Sequence, residues 1–226
     1  MINVPVITID GPSGSGKGTI AQLLAKSLSW HFLDSGALYR AVAWSVLDAK
    51  IDSNDHSALQ EIISRINIDM EVSDISNDAK IYVNDHEVTE EIRSEACSQM
   101  ASITSAIPFV RAALMDYQRA FRQLPGLVTD GRDMGTVVFP DAILKFYVTA
   151  SLDERANRRY NQLKQKGNHV SLASIHRELF VRDERDTNRA IAPAKPADDV
   201  ILIDTTQMSI DAVLQFALTH VRAVIK

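Results

Sequence analysis

The chain has 226 residues, 46% of them hydrophobic, with 24 Lys and Arg against 29 Asp and Glu for a net charge of −5. That length buries a substantial core, and the charge excludes the overall basic field that draws proteins to nucleic acid or anionic membrane, so any polyanion site has to be local. Cys97 is the only cysteine, which excludes an internal disulfide and suits a reducing compartment. "MINVPVITID" lacks the basic-then-apolar order of a signal peptide and no apolar stretch reaches membrane-spanning length, so a soluble cytoplasmic protein is expected.

Val4–Ile9 is a short β-branched run ended by Asp-Gly-Pro and reads as a buried strand. From Lys17, apolar residues at Ile20, Leu23, Leu24 and Leu28 have the spacing of a helix packed on a sheet. Trp30–Asp34 reads as a second strand, and Ser35–Leu47 as a helix with Ser35 as its N-cap. From about Ile51 to Gln99 the texture changes. "INIDMEVS" and "KIYVNDHEV" alternate like an antiparallel hairpin with "DISND" as its turn, which suggests an insertion rather than another βα unit.

Helical patterns resume through Ala101–Phe121, and Gly126–Gly131 and Ile143–Thr149 read as buried strands. "SLDE" (Ser151–Glu154) has the form of a capping box opening a helix to about Lys166. Ser171–Arg189 is a further helix with a strongly charged far end, Val200–Asp204 a last strand, and Ser209–Ile225 a closing amphipathic helix. Strands alternating with helices predict an α/β fold around a mainly parallel sheet.

"GPSGSGKG" sets glycines at 11, 14, 16 and 18 around Lys17, between the first strand and the first helix. Such a loop turns successive backbone N–H groups inward around phosphate, the following helix adds its positive end, and the lysine reaches the terminal phosphates. Gly11, Pro12, Ser13, Gly14, Ser15, Gly16, Lys17, Gly18 and Thr19 are therefore the expected ATP-binding loop. Gly18 stands where such loops usually carry the Ser or Thr that holds magnesium, so Mg²⁺ is expected to be held largely through water and the nucleotide.

Gly after the lysine resembles the nucleoside monophosphate kinases of the adenylate kinase type. "LDSGALYR" (Leu33–Arg40), "DGRDMGTVVFPDA" (Asp130–Ala142) and "RDERDTNRAIAP" (Arg182–Pro193), in this order and spacing, resemble the bacterial cytidylate kinases over nearly the whole chain. The resemblance implies a P-loop NTPase-type three-layer αβα fold with a parallel central sheet, forming one kinase domain. Its core would take 1–50, 100–165 and 195–226, with an inserted monophosphate-binding region at about 51–99 and a short helical lid at about 167–194. It implies transfer of the ATP γ-phosphoryl group to CMP or dCMP with Mg²⁺.

Such a reaction brings two polyanions together, so it needs cations. Lys17, Arg40, Arg132, Arg182, Arg185 and Arg189 are the candidates, arginine's planar fork suiting phosphate oxygens. Arg182, Arg185 and Arg189 recur at spacings of three and four and are expected on one helix face. The resemblance puts Lys17, Arg132, Arg182 and Arg189 in catalysis, and Arg185 on phosphate from the lid. It puts Ser35 and Arg40 at the CMP phosphate, Ser102 and Asp133 near the cytosine amine, Arg111 near its N3 and O2, and Asp186 with Arg189 at the sugar. Ser35 has two roles open, helix cap and phosphate contact. Asp10 has three: loop support, magnesium, or a simple turn residue.

A carboxylate facing the exocyclic amine prefers cytosine and opposes the carbonyl of uracil. Unpaired polar groups in a closed pocket cost about 1–3 kcal/mol each, so two mismatches give roughly two to four orders of magnitude against UMP. No histidine pair has metal-ligand spacing, so no protein metal site is expected. The expected partners are ATP and CMP or dCMP, with neither nucleic acid nor membrane, and the expected state is a monomer. The alternatives are a P-loop kinase for another small acceptor such as UMP, and a nucleotide-dependent switch without metabolic turnover.

Overall fold

The computed structural model describes residues 4–72, 79–165, 167 and 170–225. By its contacts the chain divides into two compact units, residues 1–33 with 119–226, and residues 34–118.

The first unit is built on a five-stranded sheet. β1 (Val6–Asp10) is fully buried, as its unbroken apolar and β-branched run requires of a central strand. It pairs in parallel with β6 (Leu127–Gly131) on one side and β7 (Leu144–Thr149) on the other. β7 pairs in parallel with β8 (Ile201–Asp204), β2 (His31–Asp34) lies beyond β6, and the order is β2-β6-β1-β7-β8. Helices α1 (Lys17–Leu28) and α8 (Ile210–Val224) bury Ile20, Leu24, Val213, Ala217 and Val221 against Ile7, Ile9, Val128, Phe146 and Val148 of the strands. The result is the mostly parallel, helix-flanked α/β fold that the alternation of strands and helices predicts. β1 lies between β6 and β7, and sheets of this kind bind ligands in the crevice beyond the carboxyl ends of their strands.

α6 (Leu152–Gln165) and α7 (Leu172–Asn188) pack on each other through Ala156, Ile175 and Leu179. Ser151 caps α6 by accepting from the Glu154 amide at 3.2 Å, and Ser171 caps α7. α7 stops at Asn188. Arg189 has left the helix, with φ −61° and ψ 142°, so the three arginines expected on one face are two on the helix and one beyond its end. A one-turn π-helix, Met134–Val138, follows β6.

The second unit contains α2 (Ser35–Asp48), α3 (His56–Arg65), an antiparallel sheet of β3 (Ile68–Val72), β4 (Ala79–Val83) and β5 (His86–Glu87), then α4 (Glu95–Thr104) and most of α5 (Pro108–Ala120). β3 and β4 pair antiparallel as expected of the two segments, with Ile68 opposite Val83 and Met70 opposite Ile81; the "DISND" turn falls outside the described residues. Asn84 and Asp85 both take positive φ (47° and 68°), which matches a two-residue turn between β4 and β5. α3 was not legible in the alternating texture: only Leu59 is fully buried along it. The cap of α2 is Asp34, whose side chain accepts from the Ala37 amide, and not Ser35, which is the first helical residue. α2 packs on α4, and no described helix is long and apolar enough to cross a membrane.

Candidate active site

In the first unit, the segment from Gly11 to Gly16 joins β1 to α1. Gly11, Gly14 and Gly16 all take positive φ here. Gly11 has φ +150° and passes so close to β7 that a Cβ there would lie 2.0 Å from the Val148 carbonyl oxygen. Gly16 has φ +89° and forms the N-cap of α1 without a side chain, leaving the helix amides facing the loop. Lys17 opens the helix, with Nζ 3.4 Å from the Pro12 carbonyl oxygen and 4.0 Å from Asp130 Oδ2. A Cβ on Gly18 would sit 3.6 Å from that same carboxylate. Hard oxygen donors beside the lysine are what Mg²⁺ takes, so the residues present fit the ion. Among the described residues no three His, Cys, Asp or Glu side chains are grouped closely enough to hold a metal by themselves.

Arginines and aspartates converge around Ser13. Arg132 donates from Nη2 to Ser13 Oγ (2.8 Å) and from Nε to Asp186 Oδ2 (3.0 Å). Arg182 Nε stands 3.9 Å from the same carboxylate oxygen. Burial pushes the Asp186 carboxyl up, but the guanidiniums of Arg132 and Arg182 outweigh that and hold it below the usual carboxylate range. Arg189 donates to Asp133 Oδ1 (3.3 Å) and, from Nε, to the Ala192 carbonyl (2.6 Å). Arg185 Nη1 is buried without a hydrogen-bond partner among the described residues. The structure thus brings Ser13, Arg132, Arg182 and Asp186 together, and pairs Arg189 with Asp133.

Two arginines escaped the sequence reading. Arg155 Nη1 donates to the Ser13 carbonyl (3.1 Å) and to Asp183 Oδ2 (2.6 Å). Arg158 donates to the Ser15 carbonyl (3.3 Å) and the Thr205 carbonyl (2.7 Å), while the Thr205 hydroxyl donates to the Ser15 carbonyl (2.9 Å). These side chains hold the Ser13 and Ser15 carbonyls of the loop in place. Their partners are main-chain oxygens, which no residue pattern reveals; the only signal was a cluster of arginines on the helix after β7.

Asp10, for which three roles stood open, spends both carboxylate oxygens on main chain. It accepts from the Met134 amide (2.9 Å) and the Gly135 amide (2.8 Å). Burial pushes its carboxyl up to about 6, with the two amides pulling the other way.

In the second unit, Asp34 and Arg40 are joined at 2.7 Å (Nη2 to Oδ2) across the first turns of α2. Ser35 is buried between them in sequence, 4% exposed. Arg111, also 4% exposed, lies in the first turn of α5. It donates to the Ser105 carbonyl (3.2 Å) and stands 5.5 Å over the Tyr39 ring. Ser105 Oγ in turn donates to the Ser102 carbonyl (3.1 Å), so the link from α4 to α5 holds Ser102 and Arg111 in one hydrogen-bonded chain.

Comparison with known proteins shows the family. The cytidylate kinase family model matches residues 7–223. A cytidylate kinase of Coxiella burnetii is 53% identical over 218 residues, 96% of this chain and 92% of that one. One from Stutzerimonas stutzeri is 53% identical over 218 residues, 96% and 95% of the two chains. Among solved structures, an uncharacterized protein from Eubacterium ventriosum superposes with a TM-score of 0.50 at 13% identity, covering 97% of this chain and 98% of that one, which speaks to the fold alone. With the match running through both units, the chain belongs to the cytidylate kinase family.

Proposed function

We infer that this protein transfers the γ-phosphoryl group of ATP to CMP or dCMP, giving ADP and CDP or dCDP. The observation that carries it is the family match through residues 7–223, with 53% identity over nearly full length to cytidylate kinases.

The residues supply a mechanism. The loop Gly11–Thr19 and the N-terminus of α1 cradle the ATP phosphates, and Lys17 follows charge onto the oxygens of the transferring group. Mg²⁺, which neutralises the phosphates and fixes their orientation, would be held through Asp130, water and the nucleotide. Arg132, Arg182 and Arg189 neutralise the acceptor and the charge that develops during transfer, with Arg185 on the ATP side. Ser35 and Arg40 hold the CMP phosphate, Asp186 with Arg189 the sugar, and Ser102, Arg111 and Asp133 the base. The acceptor phosphate is already largely anionic near neutral pH, since its second pKa is about 6, so no general base is required.

The segment near 167–194 acts as the lid: Asp186 accepts from Arg132, Arg182 stands beside Asp186 and Asp183 accepts from Arg155, and closure over both nucleotides excludes the water that would otherwise take the phosphoryl group. The segment near 51–99 completes the monophosphate-binding region. The site residues named are read within one chain, and a monomer is the state proposed. The use of ATP and a single cysteine, which rules out an internal disulfide, support the reading of a cytoplasmic protein.

An ADP-release assay with ATP and Mg²⁺ across the ribo- and deoxyribonucleoside monophosphates tests the reading. CMP and dCMP are expected to turn over with a kcat/KM roughly two to four orders of magnitude above UMP, from the mismatch penalty at the base. Equal efficiency with UMP, or turnover of none of them, would overturn it.

A further inference from the structure

We propose that Asp10 is a positioning residue that sets Arg132 and Asp133, and through them the selectivity for the cytosine base. The proposal rests on the reading of Asp133 as the side chain that meets the base.

Asp10 is the last residue of β1 and directly precedes Gly11, the start of the phosphate loop. Its two oxygens accept from consecutive amides, Met134 at 2.9 Å and Gly135 at 2.8 Å. These are the first residues of the π-helical turn, immediately after Arg132 and Asp133. Asp133 itself has φ −146° and ψ 23°, outside the regular regions, so its direction depends on what anchors its neighbours. The far side of the turn is closed by packing: a Cβ on Gly135 would meet Thr8 Oγ1 at 2.7 Å and the Lys145 stem at 3.2 Å. The turn is therefore seated against β1 by contact and pinned to it by one carboxylate. A carboxylate is the only side-chain group of this size that accepts two adjacent N–H bonds without presenting a donor to either.

A residue placed here for fold alone would gain by being neutral, because an ionised carboxylate that is 5% exposed pays desolvation without a salt bridge. None of the ion pairs made by the described residues includes Asp10. Its charge is spent on the two amides that follow Arg132–Asp133. The same backbone step joins the donor loop to the acceptor-facing pair, so Asp10 keeps the two halves of the reaction in register.

Asp10→Asn keeps the shape, retains one acceptor and turns an NH₂ toward the other amide. In the full-length enzyme, with ATP and Mg²⁺, this variant is expected to lose at least about tenfold in the ratio of kcat/KM for CMP to that for UMP, while KM for ATP stays within about twofold. Asp133→Ala and the double variant complete a cycle. If Asp10 acts through Asp133, adding Asp10→Asn to Asp133→Ala changes the CMP-to-UMP ratio by less than about twofold. A purely structural role would lower both substrates alike and leave the ratio where it was, which overturns the proposal. If Asp133→Ala itself leaves the ratio unchanged, the base-reading assignment fails first, a distinct result. Should Asp10→Asn not fold, Asp10→Ser, with one acceptor and no fixed opposing donor, takes its place in the same cycle.

Discussion

Replacing Arg132 with Met removes a buried guanidinium while keeping most of its stem volume. Arg132 and Asp186 are 15% and 6% exposed at the side chain and meet at 3.0 Å, and Arg132 also donates to Ser13 Oγ at 2.8 Å. Breaking a buried pair by deleting one partner costs about 3–5 kcal/mol, because the remaining charge stays desolvated. Arg182, at 3.9 Å from Asp186 Oδ2, retains part of the compensation, so the low end, about 3 kcal/mol, is expected. For a chain of this size that is roughly 6–12 °C in Tm.

The pH dependence carries the sign. In the wild type the Asp186 carboxyl lies below its ordinary range, so it adds stability above the unfolded pKa that is lost as pH falls through the folded one. Without Arg132, burial dominates and the carboxyl rises, so the deficit of Arg132→Met is largest near neutral pH and shrinks toward about pH 4.5. Urea unfolding at about pH 7.5 and 4.5 measures it, and a double variant with Asp186→Leu is expected to recover most of the loss by removing the stranded charge. A single variant within about 1 kcal/mol of wild type, or a double variant no more stable than the single, would refute the reasoning.

Lys17→Ala is expected to reduce ADP release by at least roughly 10²-fold while circular dichroism and unfolding stay close to wild type; retained turnover would remove the phosphate-loop assignment. Gly11→Ala, whose Cβ would sit 2.0 Å from the Val148 carbonyl, should lower stability by more than about 3 kcal/mol. Gly167→Ala, at φ +79° with nothing within 4 Å, should cost only about 1 kcal/mol of backbone strain, and equal losses would mean that the contact with β7 is unimportant. Asp10, raised to about 6 from 3.8, contributes stability that is present below about 3.8 and lost as pH rises through about 6. Wild type should therefore gain on Asp10→Asn by about 1.4 kcal/mol per pH unit on going below 6, and a pH-independent difference in thermal unfolding would show that the carboxyl is not desolvated.

Local chemistry was legible wherever the residues that act are also the residues that pattern. The buried run of β1, the glycine loop with Lys17 and the helix behind it follow from backbone conformation, hydrogen-bonding capacity and periodicity, all of which are properties of a few consecutive residues. What only the tertiary structure decided are the partnerships between distant segments. Asp10 could have been a turn residue or a metal ligand until β1 and β6 were paired and its oxygens met the Met134 and Gly135 amides. Arg155 and Arg158 find main-chain carbonyls of the loop, Arg189 leaves the helix that its spacing with Arg185 suggested, and Asp34 takes the cap that Ser35 was expected to hold. Periodicity reports which face of an element is buried, but a hydrogen bond depends on position to within a few tenths of an ångström, and that is set by how the elements pack.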